Sequence, residues 1–151
     1  MAELYVNGKP ASLPSDPTMP LLEFLRDKLE LGSVREGCGI GMCGTCTVLL
    51  DGRAISSCLL LTGQVVGRMI TTVEGLIGEA GELHPVQVAY LEAHAFQCAF
   101  CTPGFVLSTV ALLEESPRPT DDAIRAYLGG NLCRCGSYIN ILKAVRKAST
   151  H

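Results

Sequence analysis

The chain has 151 residues, 48% of them hydrophobic, and 12 basic against 15 acidic residues give it a formal net charge of −3. The length fits one domain or two small ones, and the lack of a basic run argues against nucleic-acid binding. No apolar stretch approaches the roughly 20 residues of a membrane span, and Met1–Lys9 lacks the charged and apolar regions of a signal peptide. We therefore expect a cytoplasmic protein, with export alongside a partner subunit left open.

Residues 1–76 are predicted to form a small β-rich domain. Leu4 and Val6 alternate with polar neighbours, and Asn7-Gly8 is a strong signal for a two-residue hairpin turn. Pro20 then stands in the first turn of a predicted helix, where proline is well tolerated. The apolar face of that helix is predicted to be Leu21, Leu22, Leu25 and Leu29.

A glycine-dense loop and a second hairpin complete this part of the chain. The glycines alternate around two cysteines, at Gly37, Gly39, Gly41 and Gly44. The strand Thr47–Leu50 follows, and the turn Asp51-Gly52 leads into a returning strand over residues 53–57. The glycine-rich segment around residues 77–83 lacks a clear periodicity and is predicted to be a linker.

Residues 84–151 show helical periodicity and are predicted to form a helical domain with four helices. The inner face of the first helix is Val86, Ala89, Tyr90 and Ala93. The second helix is predicted from Pro103 to about Glu115 with Thr102 as its N-cap, and it is apolar on nearly every side, as a central helix would be. The third helix is capped by Thr120, and its predicted inner face is Ala123, Ile124, Tyr127 and Leu128. The fourth helix is capped by Ser137, and its predicted inner face is Ile139, Leu142 and Val145.

Eight cysteines fall into two groups of four, and four thiolates are what one iron–sulfur cluster needs. Without a secretory signal, clustered cysteines are more often metal ligands than disulfides. The first group is Cys38, Cys43, Cys46 and Cys58. Its C-x4-C-x2-C spacing is that of plant-type ferredoxins with a 2Fe–2S cluster, and the glycines between the ligands allow the tight bends of such a loop.

The second hairpin explains how the fourth cysteine of this group reaches the other three. Pairing outward from Asp51-Gly52 places Cys46 opposite Ser57, and Cys58 is the next residue. A zinc site needs closely spaced pairs of ligands, and in this group only Cys43 and Cys46 have that spacing. The pattern therefore favours a 2Fe–2S cluster over zinc, disulfides or free thiols.

The second group is Cys98, Cys101, Cys133 and Cys135, and its spacing is less familiar. Each pair precedes a predicted helix, where free N–H groups and the positive end of the helix dipole favour an anionic cluster. The Cys-x-Cys pair and the 31-residue gap fit no common zinc ribbon. Iron–sulfur is therefore favoured here too, and zinc stays the alternative.

Three segments closely resemble the small iron–sulfur subunits of the molybdenum hydroxylases, the xanthine oxidase family: EGCGIGMCGTCTVLLDG, QCAFCTPGFVLS and NLCRCGSYINILKAV. That family includes carbon monoxide dehydrogenases, aldehyde oxidoreductases and the dehydrogenases of nicotinate and isoquinoline. The resemblance covers about residues 3–147 and aligns all eight cysteines in order. It implies an α+β fold, with an N-terminal β-grasp ferredoxin-like domain followed by a C-terminal four-helix domain, each holding one 2Fe–2S cluster.

The resemblance also implies an electron-transfer role in a larger oxidoreductase, with no substrate catalysis by this chain alone. The second cluster would lie next to a molybdenum pyranopterin in a large subunit, and the first would pass electrons to FAD in a medium subunit or to another acceptor. Gln97 matches the glutamine that binds the pterin, and Cys135 matches the cluster ligand that lies against it. We expect a dimer of heterotrimers that acts on an aldehyde, an N-heteroaromatic compound or carbon monoxide.

One departure from the family pattern stands in the second cysteine group. Ala99 occupies the position where QCGFC of the family has glycine, and its methyl group is expected to restrict the backbone of that loop. Two other hypotheses stay open at this point. One is a free-standing 2Fe–2S ferredoxin whose C-terminal cysteines bind structural zinc, and the other is an interaction module stapled by disulfides.

Overall fold

Five short strands build one mixed sheet from the first half of the chain. In the computed structural model, which describes residues 3–150, they are β1 (Glu3–Val6), β2 (Lys9–Ser12), β3 (Thr47–Leu50), β4 (Arg53–Ser56) and β5 (Met69–Thr71). Their order across the sheet is β2-β1-β5-β3-β4. β5 joins the two hairpins, because it runs parallel to β1 and antiparallel to β3.

Both predicted hairpins are present. Asn7 and Gly8 have φ angles of 51° and 77°, and the turn Asp51-Gly52 has 47° and 83°. Positive φ at both turn positions is the type I′ geometry that suits the twist of paired strands. The sequence pattern does not predict β5, because only Ile70 of its three residues is buried and the alternation is too short to recognise.

The helix α1 begins after Pro20 and changes its pitch midway. Leu21–Glu23 are α-helical, and Phe24–Lys28 form a wider π-helical turn in which the Leu29 N–H donates to the Phe24 carbonyl at 3.1 Å. The wider turn brings Phe24 into the core under the sheet. Of the predicted inner face, Leu21, Leu22 and Leu25 are buried, and Leu29 is half-buried.

In the described part of the chain, four further helices follow the sheet: α2 (Pro85–Glu92), α3 (Thr102–Glu115), α4 (Asp121–Tyr127) and α5 (Tyr138–Ala148). Short 3-10 turns occur at Ser57–Leu59, Thr62–Gln64, Val73–Leu76 and Leu128–Gly130. α3 is the central helix, as predicted, because every residue from Gly104 to Leu112 is buried. Leu49 of β3 belongs to the same core as α3, so the sheet and the helices share one interface.

The start of α3 differs from the prediction. The helix begins at Thr102, and Cys101 takes the capping position. The physical reason is that the Thr102 N–H already donates to the Ala99 carbonyl at 3.4 Å, which begins the turn one residue early. Ser137 does stand at the N-cap of α5, but its side chain makes no capping hydrogen bond.

Two predicted inner faces are wrong in detail. On α4, Ala123 is exposed and Tyr127 half-buried, while Ile124 is buried as predicted. On α5, Ile139 is 73% exposed, because the buried stripe starts two residues later. That stripe is Ile141, Ala144, Val145 and Ala148. Among residues 3–150, no helix is both long and apolar enough to cross a membrane.

Candidate metal centres

The loop of the first cysteine group wraps around the Cys38 sulfur. Three backbone N–H groups donate to Cys38 Sγ, those of Ile40 at 3.4 Å, Met42 at 3.3 Å and Cys43 at 3.4 Å. These hydrogen bonds, that of Ile40 first, lower the pKa of the Cys38 thiol to about 6. Since the thiolate is the metal-binding form, the backbone of the loop prepares this sulfur for ligation.

Close approach explains why the loop is rich in glycine. A Cβ on Gly37 would lie 2.7 Å from Cys43 Sγ, so a side chain there would occupy the space beside the sulfur. Gly39, Gly41 and Gly44 have φ angles of 69°, 76° and 70°, a region that residues with a Cβ rarely adopt. The loop therefore leaves room around its sulfurs that a larger side chain would fill.

The hairpin β3–β4 returns the fourth cysteine to the loop, by the pairing predicted from the sequence. Thr47 pairs with Ser56, and beyond the strand ends the Ser57 N–H and hydroxyl both donate to the Cys46 carbonyl, at 3.3 and 2.8 Å. The thiols of Cys46 and Cys58 are neighbours. Burial, as the main cause, and the neighbouring Cys46 thiol, as the second, raise the pKa of Cys58 to about 11. Ionisation of Cys58 therefore needs a nearby cation.

In the second group, the cysteines come from the segments before α3 and α5. The thiol of Cys98 neighbours that of Cys135, and the thiol of Cys101 neighbours that of Cys133. Burial is the main cause, and the Cys133 thiol the second, that raises the pKa of Cys101 to about 12. The pKa of Cys98 is lowered, mainly by the Phe100 N–H and secondly by the Cys135 thiol.

The start of α5 supports Cys133 in particular. Burial opposes ionisation of Cys133, but the Ser137 N–H donates to its Sγ at 3.4 Å and the pKa is lowered overall. The Cys133 N–H in turn donates to the Tyr138 hydroxyl at 2.8 Å, and the Tyr138 ring meets Phe105 edge-on with centroids 6.3 Å apart. The sequence does not predict this hydrogen bond, because nothing in a five-residue spacing signals it.

Each group of thiols supplies the ligand count of one 2Fe–2S cluster. Within residues 3–150, no three His, Cys, Asp or Glu side chains converge as they would around one metal ion. The sulfurs of the first group stand in two neighbouring pairs, Cys38 with Cys43 and Cys46 with Cys58, and those of the second group pair as described above. Four thiolates shared between two irons are the ligand set of a 2Fe–2S cluster. A cavity of about 390 Å³ lies beside the second group, and its lining includes Cys43, Cys98, Cys101, Cys133, Phe100 and Tyr138.

The two groups are joined by direct hydrogen bonds. The Leu132 N–H donates to the Cys43 carbonyl at 2.9 Å, so the loop of the first cysteine group touches the residue before Cys133 of the second. Next to it, the buried Asn131 side chain donates to the Gly44 carbonyl at 3.1 Å and accepts from the Ser108 hydroxyl at 2.9 Å. Asn131 opens the segment NLCRCG, but the sequence does not predict these contacts, because the partners of Asn131 come from distant segments.

Gln97 and the loop that follows it lie at the surface. Gln97, Cys98 and Cys135 are exposed, whereas Cys133 is buried. Ala99, at the position where the family pattern has glycine, has a φ of 61°. The Arg35 guanidinium donates to the Ala99 carbonyl at 2.6 Å and to the Phe100 carbonyl at 3.1 Å, a contact that no local pattern predicts.

Comparison with protein families matches both halves of the chain. A family described as a 2Fe-2S iron-sulfur cluster binding domain covers residues 4–69, and one described as a 2Fe-2S binding domain covers residues 72–146. One of the nicotinate dehydrogenase subunits of Pseudomonas putida is 46% identical over 97% of this chain and 92% of its own length. The nicotinate dehydrogenase small FeS subunit of Eubacterium barkeri is 45% identical over 96% of this chain and 92% of its own length.

Solved structures share the whole fold. Quinoline 2-oxidoreductase from Pseudomonas putida contains a chain that superposes with a TM-score of 0.93 and 38% identity, over 99% of this chain and 93% of that one. The aldehyde oxidoreductase of Desulfovibrio desulfuricans matches with a TM-score of 0.93 and 41% identity, but this chain spans only 17% of that longer one. The predicted α+β class, with a ferredoxin-like half followed by a four-helix half, is confirmed.

Proposed function

This chain belongs to the family of small 2Fe–2S subunits of the molybdenum hydroxylases, and we propose that it carries electrons from a molybdenum-containing large subunit to an acceptor. A 2Fe–2S cluster, when bound, takes up and releases one electron at a time. The observation that carries the proposal is the placement of eight thiols in four neighbouring pairs, with the two groups joined by the Leu132–Cys43 hydrogen bond.

The proposed ligands are the two groups of four. Cys38, Cys43, Cys46 and Cys58 would hold the first cluster, and Cys98, Cys101, Cys133 and Cys135 the second. The chain supplies N–H donors to the sulfurs at Cys38 and Cys133, and such hydrogen bonds tune the reduction potential of a cluster. The Cys43–Leu132 contact supports electron transfer between the two groups, because it shortens the bonded route between them to one hydrogen bond.

The surfaces around the two groups support a partner on each side. Ile40, Met42 and Leu59 are 64%, 66% and 61% exposed around the first group, and apolar side chains clustered in this way are typical of surfaces that bind other proteins. We assign this face to the acceptor, a medium subunit with FAD.

Phe100 and Ile139 are exposed in the same way around the second group. We assign that face to the large subunit, whose molybdenum pyranopterin would meet Gln97 and Cys135. The amide of Gln97 both donates and accepts hydrogen bonds, as recognition of a pterin edge requires.

The proposed class of substrate rests on the names of the relatives alone. Two of the relatives are named as subunits of nicotinate dehydrogenases, and a solved neighbour as a quinoline oxidoreductase. Of the three classes expected from the sequence, we therefore propose an N-heteroaromatic compound, oxidised on the large subunit. The proposed assembly is a heterotrimer that forms a dimer.

Metal analysis of the full chain, purified in the complex it forms, tests the proposal. We expect four irons and four acid-labile sulfides per chain, no zinc, and two distinct electron paramagnetic resonance signals after reduction. Two irons with one zinc would support the free-standing ferredoxin instead. A chain without visible absorbance would leave only the disulfide-stapled module.

A further inference from the structure

We propose that Arg35 is a positioning residue for the loop Cys98–Cys101, and that its charge raises the reduction potential of the cluster bound there. The inference rests on the proposed function, because it presupposes that the second cysteine group holds a 2Fe–2S cluster. Arg35 lies in the segment before the first cysteine group, so it acts across the interface between the two halves of the chain.

The loop between Cys98 and Cys101 contains a residue in an unfavourable backbone conformation. Ala99 has a φ of 61°, in the left-handed region where a Cβ crowds the neighbouring carbonyl group. Its carbonyl also accepts the Thr102 N–H at 3.4 Å, which begins α3. A residue other than glycine keeps such a backbone conformation only when surrounding contacts enforce it.

The Arg35 side chain supplies those contacts. Its Nη1 atom donates to the carbonyls of two consecutive residues, Ala99 at 2.6 Å and Phe100 at 3.1 Å. Its guanidinium carbon lies 5.5 Å from the centroid of the Phe100 ring, within the range of a cation–π contact. Its Nε donates to the Gly32 carbonyl at 3.4 Å, which ties the guanidinium to its own segment. The carbonyl groups of Ala99 and Phe100 therefore both point at the Arg35 guanidinium, and these contacts hold the loop Cys98–Cys101 in its conformation.

The charge of Arg35 acts on the same site. The guanidinium is a positive charge and is half-buried, so solvent screens its field only in part. A cluster with four thiolates becomes more negative when it takes up an electron, and a fixed positive charge nearby stabilises that reduced form. The potential of the second cluster is therefore higher with Arg35 than without it.

A set of variants in the purified complex separates the two effects. Arg35→Gln removes both the charge and the double hydrogen bond; Arg35→Lys keeps the charge but loses the planar guanidinium. Ala99→Gly relieves the backbone, because glycine adopts a φ of this sign freely. Arg125→Gln is the matched control, since it removes an arginine from an exposed ion pair with Asp122 on α4.

We expect Arg35→Gln to lose the second cluster roughly tenfold faster than the wild-type chain on warming, with the first cluster retained. Its second-cluster potential should shift to more negative values, by up to about 59 mV, which is a tenfold change in a one-electron equilibrium constant. Arg35→Lys should keep the potential and lose the cluster faster. The double variant Arg35→Gln with Ala99→Gly should hold the cluster nearly as long as the wild-type chain.

The outcomes with these variants distinguish a failure of this inference from a failure of the proposed function. If Arg35→Gln matches Arg125→Gln in cluster lifetime and potential, Arg35 has no such role. If Arg35→Gln shortens the lifetime of the second cluster equally with alanine and with glycine at position 99, Arg35 does not position the loop Cys98–Cys101. A wild-type chain that contains only the first cluster would contradict the proposed function, and a wild-type chain with both clusters but no selective effect of Arg35 contradicts this inference alone.

Discussion

Leu132 donates its N–H to the carbonyl of Cys43 at 2.9 Å, and this hydrogen bond connects the two cysteine groups more directly than any covalent stretch of chain does. Leu132 precedes Cys133, and Cys43 precedes Gly44, which in turn accepts a hydrogen bond from Asn131 at 3.1 Å. Two loops that belong to different halves of the chain thus lie against each other through backbone atoms. Small residues are required at such a contact.

Gly44→Ala is expected to disturb this contact. A Cβ at this position would lie 2.6 Å from Asn131 Nδ2 and 2.6 Å from the Gly130 carbonyl oxygen, at a φ of 70°. The free energy of unfolding should fall by about 3 kcal/mol, from overpacking together with the left-handed backbone. The magnetic interaction between the reduced clusters should weaken, because the two loops must move apart.

Gly52→Ala is the matched control for that variant. Gly52 also has a positive φ, of 83°, but a Cβ there meets nothing within 4 Å. Only the backbone cost of about 1 kcal/mol should remain. Thermal unfolding and low-temperature resonance spectra compare the two variants, and equal losses would mean that the Gly44 contact contributes no packing constraint.

Tyr138→Phe should destabilise the second cysteine group alone. The variant keeps the ring beside Phe105 but removes the hydroxyl that accepts the Cys133 N–H at 2.8 Å. An unpaired, partly buried N–H costs about 1 kcal/mol. Tyr127→Phe is the control, because it removes a hydroxyl whose bond to Glu115 is exposed. The lifetime of the second cluster on heating is the measurement, and identical lifetimes in the two variants would argue against a supporting role for Tyr138.

His84 is expected to make the stability of the helical half depend on pH. Its Nδ1 accepts the Val86 N–H at 3.2 Å at the start of α2, and burial lowers the pKa of His84 below 6.5, against the opposing charge of Glu114. The unfolded chain therefore binds the proton first, so this contribution is complete above about pH 6.5 and is lost as the pH falls.

The variant His84→Asn tests this dependence. Asparagine is a favoured N-cap and does not titrate, so the melting temperature should change less between pH 7 and pH 5 than in the wild-type chain. His84→Ala, which loses the cap altogether, should be less stable at both pH values. Parallel pH profiles of His84→Asn and the wild-type chain would contradict the prediction.

Cys101→Ser and Cys46→Ser serve as reciprocal controls for the proposed ligands. Each should leave about two irons per chain and abolish a different resonance signal, because the two sites use separate sets of thiolates. Substrate-reduced spectra of the assembled enzyme should show impaired reduction of the remaining acceptors in both cases. Retention of four irons and full turnover in either variant would show that the substituted cysteine is not a ligand.

Short-range patterns account for the parts of the fold that can be predicted from the sequence. The turns Asn7-Gly8 and Asp51-Gly52 determine their hairpins through residues in direct succession, and the apolar run of α3 specifies a central helix by composition. The missed strand β5 depends on pairing with two strands far away in the chain. The exposed Ile139 shows the same limit, because the phase of α5 follows from what the helix packs against rather than from its own sequence.

The number, grouping and spacing of the eight cysteines, and the family to which those motifs belong, can be predicted from the sequence alone. Ligand count and loop chemistry are local properties, so they can be read from neighbouring residues. Three contacts become visible only in the folded chain: Leu132 with Cys43, Tyr138 with Cys133, and Arg35 with Ala99. Two of these contacts join segments more than 60 residues apart, and they form because the packing of α3 on β3 brings the two halves together.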